Sequence, residues 1–265
     1  MFRLVKKHIA GQTMDAALTR TKELNALGLP ASITFLSHIP LDKAKVNYIT
    51  ATYMQLARQI ARLGLKASLH IPLEQLGRGI SEDVTAKSLE NILDTTNKYG
   101  IFTWCEIKEP LKDLRIIKGL DGKKGIGIVL KSLDNASLYS VYIKKWHAPN
   151  AIKSACSISG DNAKPEKGAV AKKLDDIMKT SRNVVLSSPS EKLVSSLLKD
   201  QKYKKSLIFE FQLGYSEKHI NKLLKRGAKL SMYVPFGRDW VEYAMKNVPE
   251  RYTRVLANNL LNGEE

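Results

Sequence analysis

FEFQLGYSEKHINKLLKRGAKLSMYVPFGRDWVEYAMKNVPER, residues 209–251, reads as strand, helix, strand, helix. An apolar run from Ser206 to Gln212 is followed by helical spacing from Ser216 to Arg226, closed by Gly227. A second apolar run, Lys229 to Val234, leads into a second helical pattern, Arg238 to Leu260. Two strands joined through a helix are parallel neighbours, because a parallel pair cannot be closed by a tight hairpin.

The same rhythm extends back along the chain at intervals of roughly 30 residues, the size of one strand–helix unit. Six further apolar runs suit strands: Ala31 to Leu36, Lys66 to Ile71, Ile101 to Ile107, Ile126 to Lys131, Asn150 to Cys156 and Asn183 to Ser187. Helical patterns fill the intervals at Leu41 to Leu63, Ser81 to Tyr99, Pro110 to Lys118, Asp134 to Trp146, Pro165 to Lys179 and Ser190 to Lys199. Ser81 before Glu82 and Asp83 is helix-start chemistry, and Gly28, Gly64 and Gly100 stand where helices end. Eight such units predict a closed (β/α)8 barrel, with strands apolar enough to be covered on both faces. An extra N-terminal helix, Ala10 to Leu27, is expected to close the barrel floor. An open doubly wound sheet is the alternative, but no G-x-G-x-x-G follows any strand. No linker divides residues 1–265, so a single domain is expected.

No window is apolar enough to span a bilayer, and MFRLVKKHIAG lacks a secretory leader's apolar stretch, so a cytoplasmic location without membrane association is expected. Cys105 and Cys156 lack metal-site spacing and suit buried, reduced thiols. The 43 Lys and Arg outnumber 26 Asp and Glu, a formal charge of +17. An excess of one sign costs self-repulsion and fits a polyanionic partner, of which nucleic acid is the commonest.

Chemistry in such a barrel sits at the C-terminal strand ends. His70, Glu106, Lys131, Cys156 with Ser157, Ser187 with Ser188, Gln212 and Tyr233 fall there. One imidazole, one carboxylate and one ammonium could make an acid–base site or a satisfied polar rim. No G-x-S-x-G, HExxH or cluster of acidic metal ligands is present.

The stretch quoted first closely resembles the end of the proline dehydrogenase family's barrel, on Glu210, Gln212, Tyr233, Val234, Pro235, Phe236, Gly237, Asp239, Trp240, Glu250 and Arg251. The N-terminal HIAGQTMDAALTRTKELNALGLPASITFLSH, with QLGRGISEDV, GIFTWCEIK and GIGIVLKS, is similar to the family's first helix and first four strands. The resemblance implies a flavin-dependent barrel, with FAD over its mouth, that takes a hydride from proline. It also places the differences. His70 stands where the family has a Lys near the substrate carboxylate, Glu106 where it has Asp, and Lys131 where it has a flavin-contacting Gln. The fifth strand's flavin-facing Arg has no counterpart in Lys153 to Ile158, Ser187-Ser188-Pro189 replaces Thr-His-Asp, and Lys246-Asn247 replaces an Arg pair. Tyr233 and Glu250 are kept. The remnant pocket is therefore His70, Glu106, Lys131, Tyr233, Lys246, Asn247 and Glu250.

Basic and aromatic residues interleave at Lys144, Lys145, Trp146 and His147 and at Lys202, Tyr203, Lys204 and Lys205, and a third basic group is Lys218, Lys222, Lys225, Arg226 and Lys229. Cations neutralise phosphates and aromatic faces stack on bases. The expectation is a pseudoenzyme that binds the ribosome or structured RNA and carries no cofactor. The alternative is a divergent FAD-dependent dehydrogenase of another amino or imino acid, and a homo-oligomer is left open.

Overall fold

The computed structural model describes residues 7–120, 123–130, 151–155, 167–179, 181, 183–241 and 243. Its elements in chain order are α1 (Met14–Ala26), β1 (Ala31–Phe35), α2 (Lys43–Arg62), β2 (Ala67–Pro72), a 3-10 turn (Leu73–Leu76), α3 (Glu82–Lys98), β3 (Thr103–Glu106), α4 (Pro110–Lys118) and β4 (Ile126–Leu130). There follow β5 (Ala151–Ala155), α5 (Lys167–Met178), β6 (Asn183–Ser187), α6 (Glu191–Leu197), α7 (Gln201–Ser206), β7 (Leu207–Gln212), α8 (Glu217–Lys225) and β8 (Lys229–Phe236). The eight strands close in sequence order, every pair parallel, and β8 returns to β1 in the register Ala31↔Met232 through Phe35↔Phe236. The expected helices at Asp134 to Trp146 and beyond residue 243 lie outside the described residues.

The strands depart from expectation in one respect that shapes the site. They were expected to be apolar on both faces; instead each alternates. Ile33, Leu69, Ile71, Cys105, Ile128, Ile152, Leu186, Phe209, Phe211, Met232 and Val234 belong to one large core between the barrel and its helices. The alternate residues point into the lumen, where a small second cluster joins Trp104 of β3, Val129 of β4 and Val185 of β6. Contacts between non-adjacent strands can only be made through the lumen. Only one face of each strand meets the helix layer, so the other is free to carry Ser32, His70, Lys153 and Glu210, all buried.

Helix α1 is a second correction. It does not close the floor. Main-chain hydrogen bonds from Ala10 to Pro235 and from Gly237 to Gly11 fix its start beside the C-terminal end of β8. Asn25 meets Lys66 at the other end, just before β2 begins. The helix therefore lies along the outside of β8 and β1, because its buried residues Ala17, Leu18, Thr21 and Leu24 need the outer apolar face of those strands. The side chain of Thr13 caps it by accepting from Ala16 N.

Gly237 shows why one motif residue must be glycine. Its φ is 141°, and a Cβ there would stand 2.3 Å from the carbonyl oxygen of Leu36. No other side chain fits where the chain leaves β8 and packs against the end of β1.

Candidate active site at the barrel mouth

The C-terminal strand ends surround a cavity of about 620 Å³. His70, Glu106 and Tyr233 converge on it as expected, together with Gln212, Ser187 and Ser188. Lys131, Cys156, Ser157, Lys246, Asn247 and Glu250 lie outside the described residues.

His70 and Glu106 come from neighbouring strands, and Nε2 of the imidazole lies 3.1 Å from Oε2 of the carboxylate. The ring of Tyr233, two strands away on β8, meets His70 edge-on with centroids 5.0 Å apart. Burial pushes the Tyr233 phenol well above its usual range, so it stays neutral. Below them Tyr53 of α2 accepts from the Phe35 N–H at 3.3 Å and donates to Oε1 of Gln75 at 3.1 Å. Gln75 in turn donates to the carbonyls of Phe35 and Ser37. This network is buried and satisfied, which fixes the loops after β1 and β2. On the rim, Asp239 accepts from His38 N at 2.9 Å and joins the loop after β1 to the one after β8.

The most charged feature of the lumen was not among the expected site residues. Nζ of Lys153, on β5, lies 2.7 Å from Glu210 Oε2 on β7 and 2.8 Å from Ser32 Oγ on β1. It sits 4.8 Å from the centroid of the Trp104 ring on β3. Glu210 also accepts from Ser187 Oγ at 2.9 Å, and its carboxylate reaches the cavity. Burial pulls the Lys153 ammonium below the usual lysine range, and Glu210 pulls it back up. The available signal was a single Lys inside the apolar run Asn150 to Cys156, next to the outward-facing Ile152 and so on the opposite, lumen side of the strand. Ser188, beside Ser187 on the rim, holds φ at 54°, the sole positive φ of a non-glycine among the described residues. Cys105 faces the outer core, and burial pushes its thiol up to about 12, which agrees with an unreactive, reduced role. Among the described residues no group of His, Cys, Asp and Glu could hold a metal ion, and no helix is long and apolar enough to cross a membrane.

The expected nucleic-acid residues meet at the opposite end. Lys204 and Lys205 lie just before β7, and Lys225, Arg226 and Lys229 just before or at the start of β8. N-terminal ends of parallel strands share one face, so these form a single basic patch on the floor. Lys229 Nζ donates to the carbonyl of Lys205 at 2.6 Å, and the Lys204 side chain packs against Gly227. None of these five forms an ion pair with a described residue. Lys202 and Lys222 differ: they pair with Asp175 at 2.7 Å and Glu191 at 2.6 Å. The base-stacking role expected of Tyr203 is corrected, since its ring is buried and its hydroxyl donates to Asp175 at 2.7 Å. Lys144, Lys145 and Trp146 lie outside the described residues.

Comparison with known proteins places this geometry. The chain is 25% identical to "Proline dehydrogenase 1" of Bacillus subtilis subsp. natto, over 93% of its own length and 86% of that protein. It is 22% identical to "Proline dehydrogenase" of Deinococcus radiodurans, over 99% and 92% of the two chains. Among solved structures, proline utilization A (PutA) from Bdellovibrio bacteriovorus, inactivated by N-propargylglycine, superposes with a TM-score of 0.75 at 14% identity over 96% of this chain. PutA from Corynebacterium freiburgense gives 0.68 at 15% identity over 99% of this chain. The chain spans about a third of those longer proteins, 34% and 32%. No family model matches it. The similarity thus runs along nearly the whole of several proline dehydrogenases, at 22–25% identity, and the closed parallel barrel has the fold of the PutA structures.

Proposed function

We propose that this barrel binds structured RNA through its basic floor and does not oxidise proline. The observation that carries the RNA reading is the convergence of Lys204, Lys205, Lys225, Arg226 and Lys229 on one face without ion-pair partners among the described residues, on a chain of formal charge +17. Cations already neutralised by a carboxylate have less to offer a phosphate; the charges of these five are not so neutralised by any described residue, although Arg226 donates to Ser195 and Lys229 to the carbonyl of Lys205. No helix of a groove-reading motif accompanies them among the described residues, which favours contact to backbone and shape, and the ribosome is the abundant cellular target of that kind.

Loss of proline turnover rests on the mouth. The resemblance implies an Arg pair and a Lys around the substrate carboxylate, where this chain has Lys246, Asn247 and His70. Two guanidinium forks bind a carboxylate through parallel hydrogen bonds that Lys and Asn cannot reproduce. The predominance of carboxylates on the described wall supports the same reading for FAD. A flavin dinucleotide brings two phosphates and an electron-poor ring, which call for N–H donors and cations. Here Glu74, Glu106, Glu210 and Asp239 face the cavity against one lysine, Lys108, which pairs with Glu74 at 2.7 Å, and the Ser187 hydroxyl is committed to Glu210.

A second reading, a divergent FAD-dependent dehydrogenase of another amino or imino acid, is favoured by the retained cavity of about 620 Å³, ample for a small substrate. The visible spectrum and a proline:dye assay of the purified protein separate the two. The expected result is a colourless protein without proline turnover. A stoichiometric flavin spectrum together with turnover contradicts the proposal.

A further inference from the structure

Four helices reach the floor through the same turn. α1, α2, α3 and α8 each end on a capping residue followed by a glycine at positive φ. The next N–H then bonds back into the helix, from Leu29 to the Leu24 carbonyl, Leu65 to Ile60, Ile101 to Thr96 and Ala228 to Leu223. This turn draws the residue after the glycine toward the core and leaves the one before it at the floor's surface. In α8 that residue is Arg226 of the basic patch. In α1, α2 and α3 it is Leu27, Leu63 and Tyr99, which are 65%, 46% and 39% exposed.

α1 packs on α2 and α2 on α3, so the three apolar side chains form a row. Single exposed hydrophobic residues are ordinary; three at equivalent positions on neighbouring helices mark a contact surface. Its charge points to a polyanion. Lys66, just before β2, and Lys98, next to Tyr99, are exposed and form no ion pair with a described residue. Lys98 Nζ stands over the Tyr99 ring, 5.8 Å from its centroid. The strands β8, β1, β2 and β3 are neighbours in that order, so the starts of β8 and β3 lie about 14 Å apart around the barrel. A few nucleotides of one strand cross that interval. A duplex would show this surface phosphate and sugar and keep its base faces in the stack, whereas an unpaired base has a free face for aromatic and apolar side chains to cover. A second copy of the chain would bring like charges together here.

We propose that the floor accepts an unpaired base of its RNA, stacked on Tyr99 with Leu63 and Leu27 beside it, while Lys98, Lys66 and the basic patch hold the flanking phosphates. The inference rests on the RNA reading of the floor and names the RNA preferred: a helix with a loop or bulge, over an uninterrupted duplex. Tyr99 supplies the ring that the buried Tyr203 cannot.

Fluorescence anisotropy of the full chain with a labelled RNA hairpin and with a blunt RNA duplex of equal phosphate number tests it. The hairpin is expected to bind more tightly. Tyr99→Ala is expected to weaken hairpin binding roughly tenfold, to leave duplex binding in place, and to leave the salt slope unchanged because no cation is lost. Tyr99→Phe is expected to retain the preference. On the unmodified chain, 2-aminopurine at the unpaired position of the hairpin is expected to lose emission on binding, which keeps the test decisive if the alanine variant misfolds. Equal binding of the two RNAs, an equal loss for both in Tyr99→Ala, or unchanged 2-aminopurine emission overturns the unpaired-base site and leaves the basic floor standing. Tighter association with anionic lipid vesicles than with either RNA overturns it in favour of a membrane surface. Failure of the parent to bind either RNA overturns both readings.

Discussion

Lys153 and Glu210 meet at 2.7 Å across the barrel lumen, from strands β5 and β7, with their side chains only 1% and 4% exposed. Between these strands lies β6, whose Ser187 donates to the other oxygen of Glu210. The pair therefore ties together three strands beneath the mouth, and Trp104 closes over the ammonium from β3. Taking two charges out of water is costly, and each is tolerated because the other is present.

Breaking one side should accordingly be worse than removing both. Glu210→Gln leaves a buried ammonium without its counter-charge, and Lys153→Met leaves a buried carboxylate; each is expected to lower unfolding stability by about 3–5 kcal/mol. The double variant should recover much of that loss, with a coupling of about 1 kcal/mol or more in urea unfolding. Additive losses would show that the pair is not a unit.

Gly127 on β4 makes room for the same arrangement. A Cβ there would lie 2.6 Å from Cζ3 of Trp104 and 2.8 Å from Cε1 of Phe102, inside a closed lumen. Gly127→Ala is expected to cost about 1–3 kcal/mol through overpacking, and to change the indole fluorescence as Trp104 shifts. An unchanged melting temperature and emission would mean that the lumen has slack at this layer.

The barrel was legible because strand and helix differ in period and the alternation repeats eight times; strand ends moved by a residue or two, as at Ala67–Pro72 against Lys66 to Ile71. The mouth was legible in part. His70, Glu106 and Tyr233 could be placed because a strand's C-terminal end is identifiable without knowing the packing. Lys153 and Glu210 were harder, since pairing residues 57 positions apart needs the closure of the barrel. The helix α7 was also missed, because it is six residues long and merges in sequence with the run before β7. Charge patterning found the floor's lysines but could not tell Lys202 and Lys222, which have carboxylate partners, from Lys205 and Lys225, which form no ion pair with a described residue.

Acid sensitivity should appear where those partners are. Hydrogen bonds from Lys202 and then Tyr203 hold the Asp175 carboxyl below the usual carboxylate range. A folded value below the unfolded one means that the ionised carboxylate contributes its full stability above the unfolded value and loses it as the pH falls through the folded value. In urea unfolding followed against pH, Asp175→Asn is expected to be less stable than the parent near neutrality and to approach it at strongly acid pH. The effect should be small because the group is partly exposed. A difference that persists unchanged into acid would assign the loss to packing around Tyr203 instead.

The most direct measurement of the central claim is the salt dependence of binding to purified ribosomal subunits, compared between a floor variant and a charge-matched control. Lys205→Glu, Arg226→Glu and Lys229→Glu reverse three exposed cations of the floor; Lys22→Glu, Lys43→Glu and Lys118→Glu reverse three exposed cations elsewhere. If the floor carries the phosphate contacts, the parent and the control should bind with the same steep slope of log affinity against log salt. The floor variant should bind more weakly, with a slope shallower by roughly two to three units. Failure of the parent to bind ribosomal subunits or isolated structured RNA at any salt, or equal losses in the floor variant and the control, would contradict an RNA-binding floor.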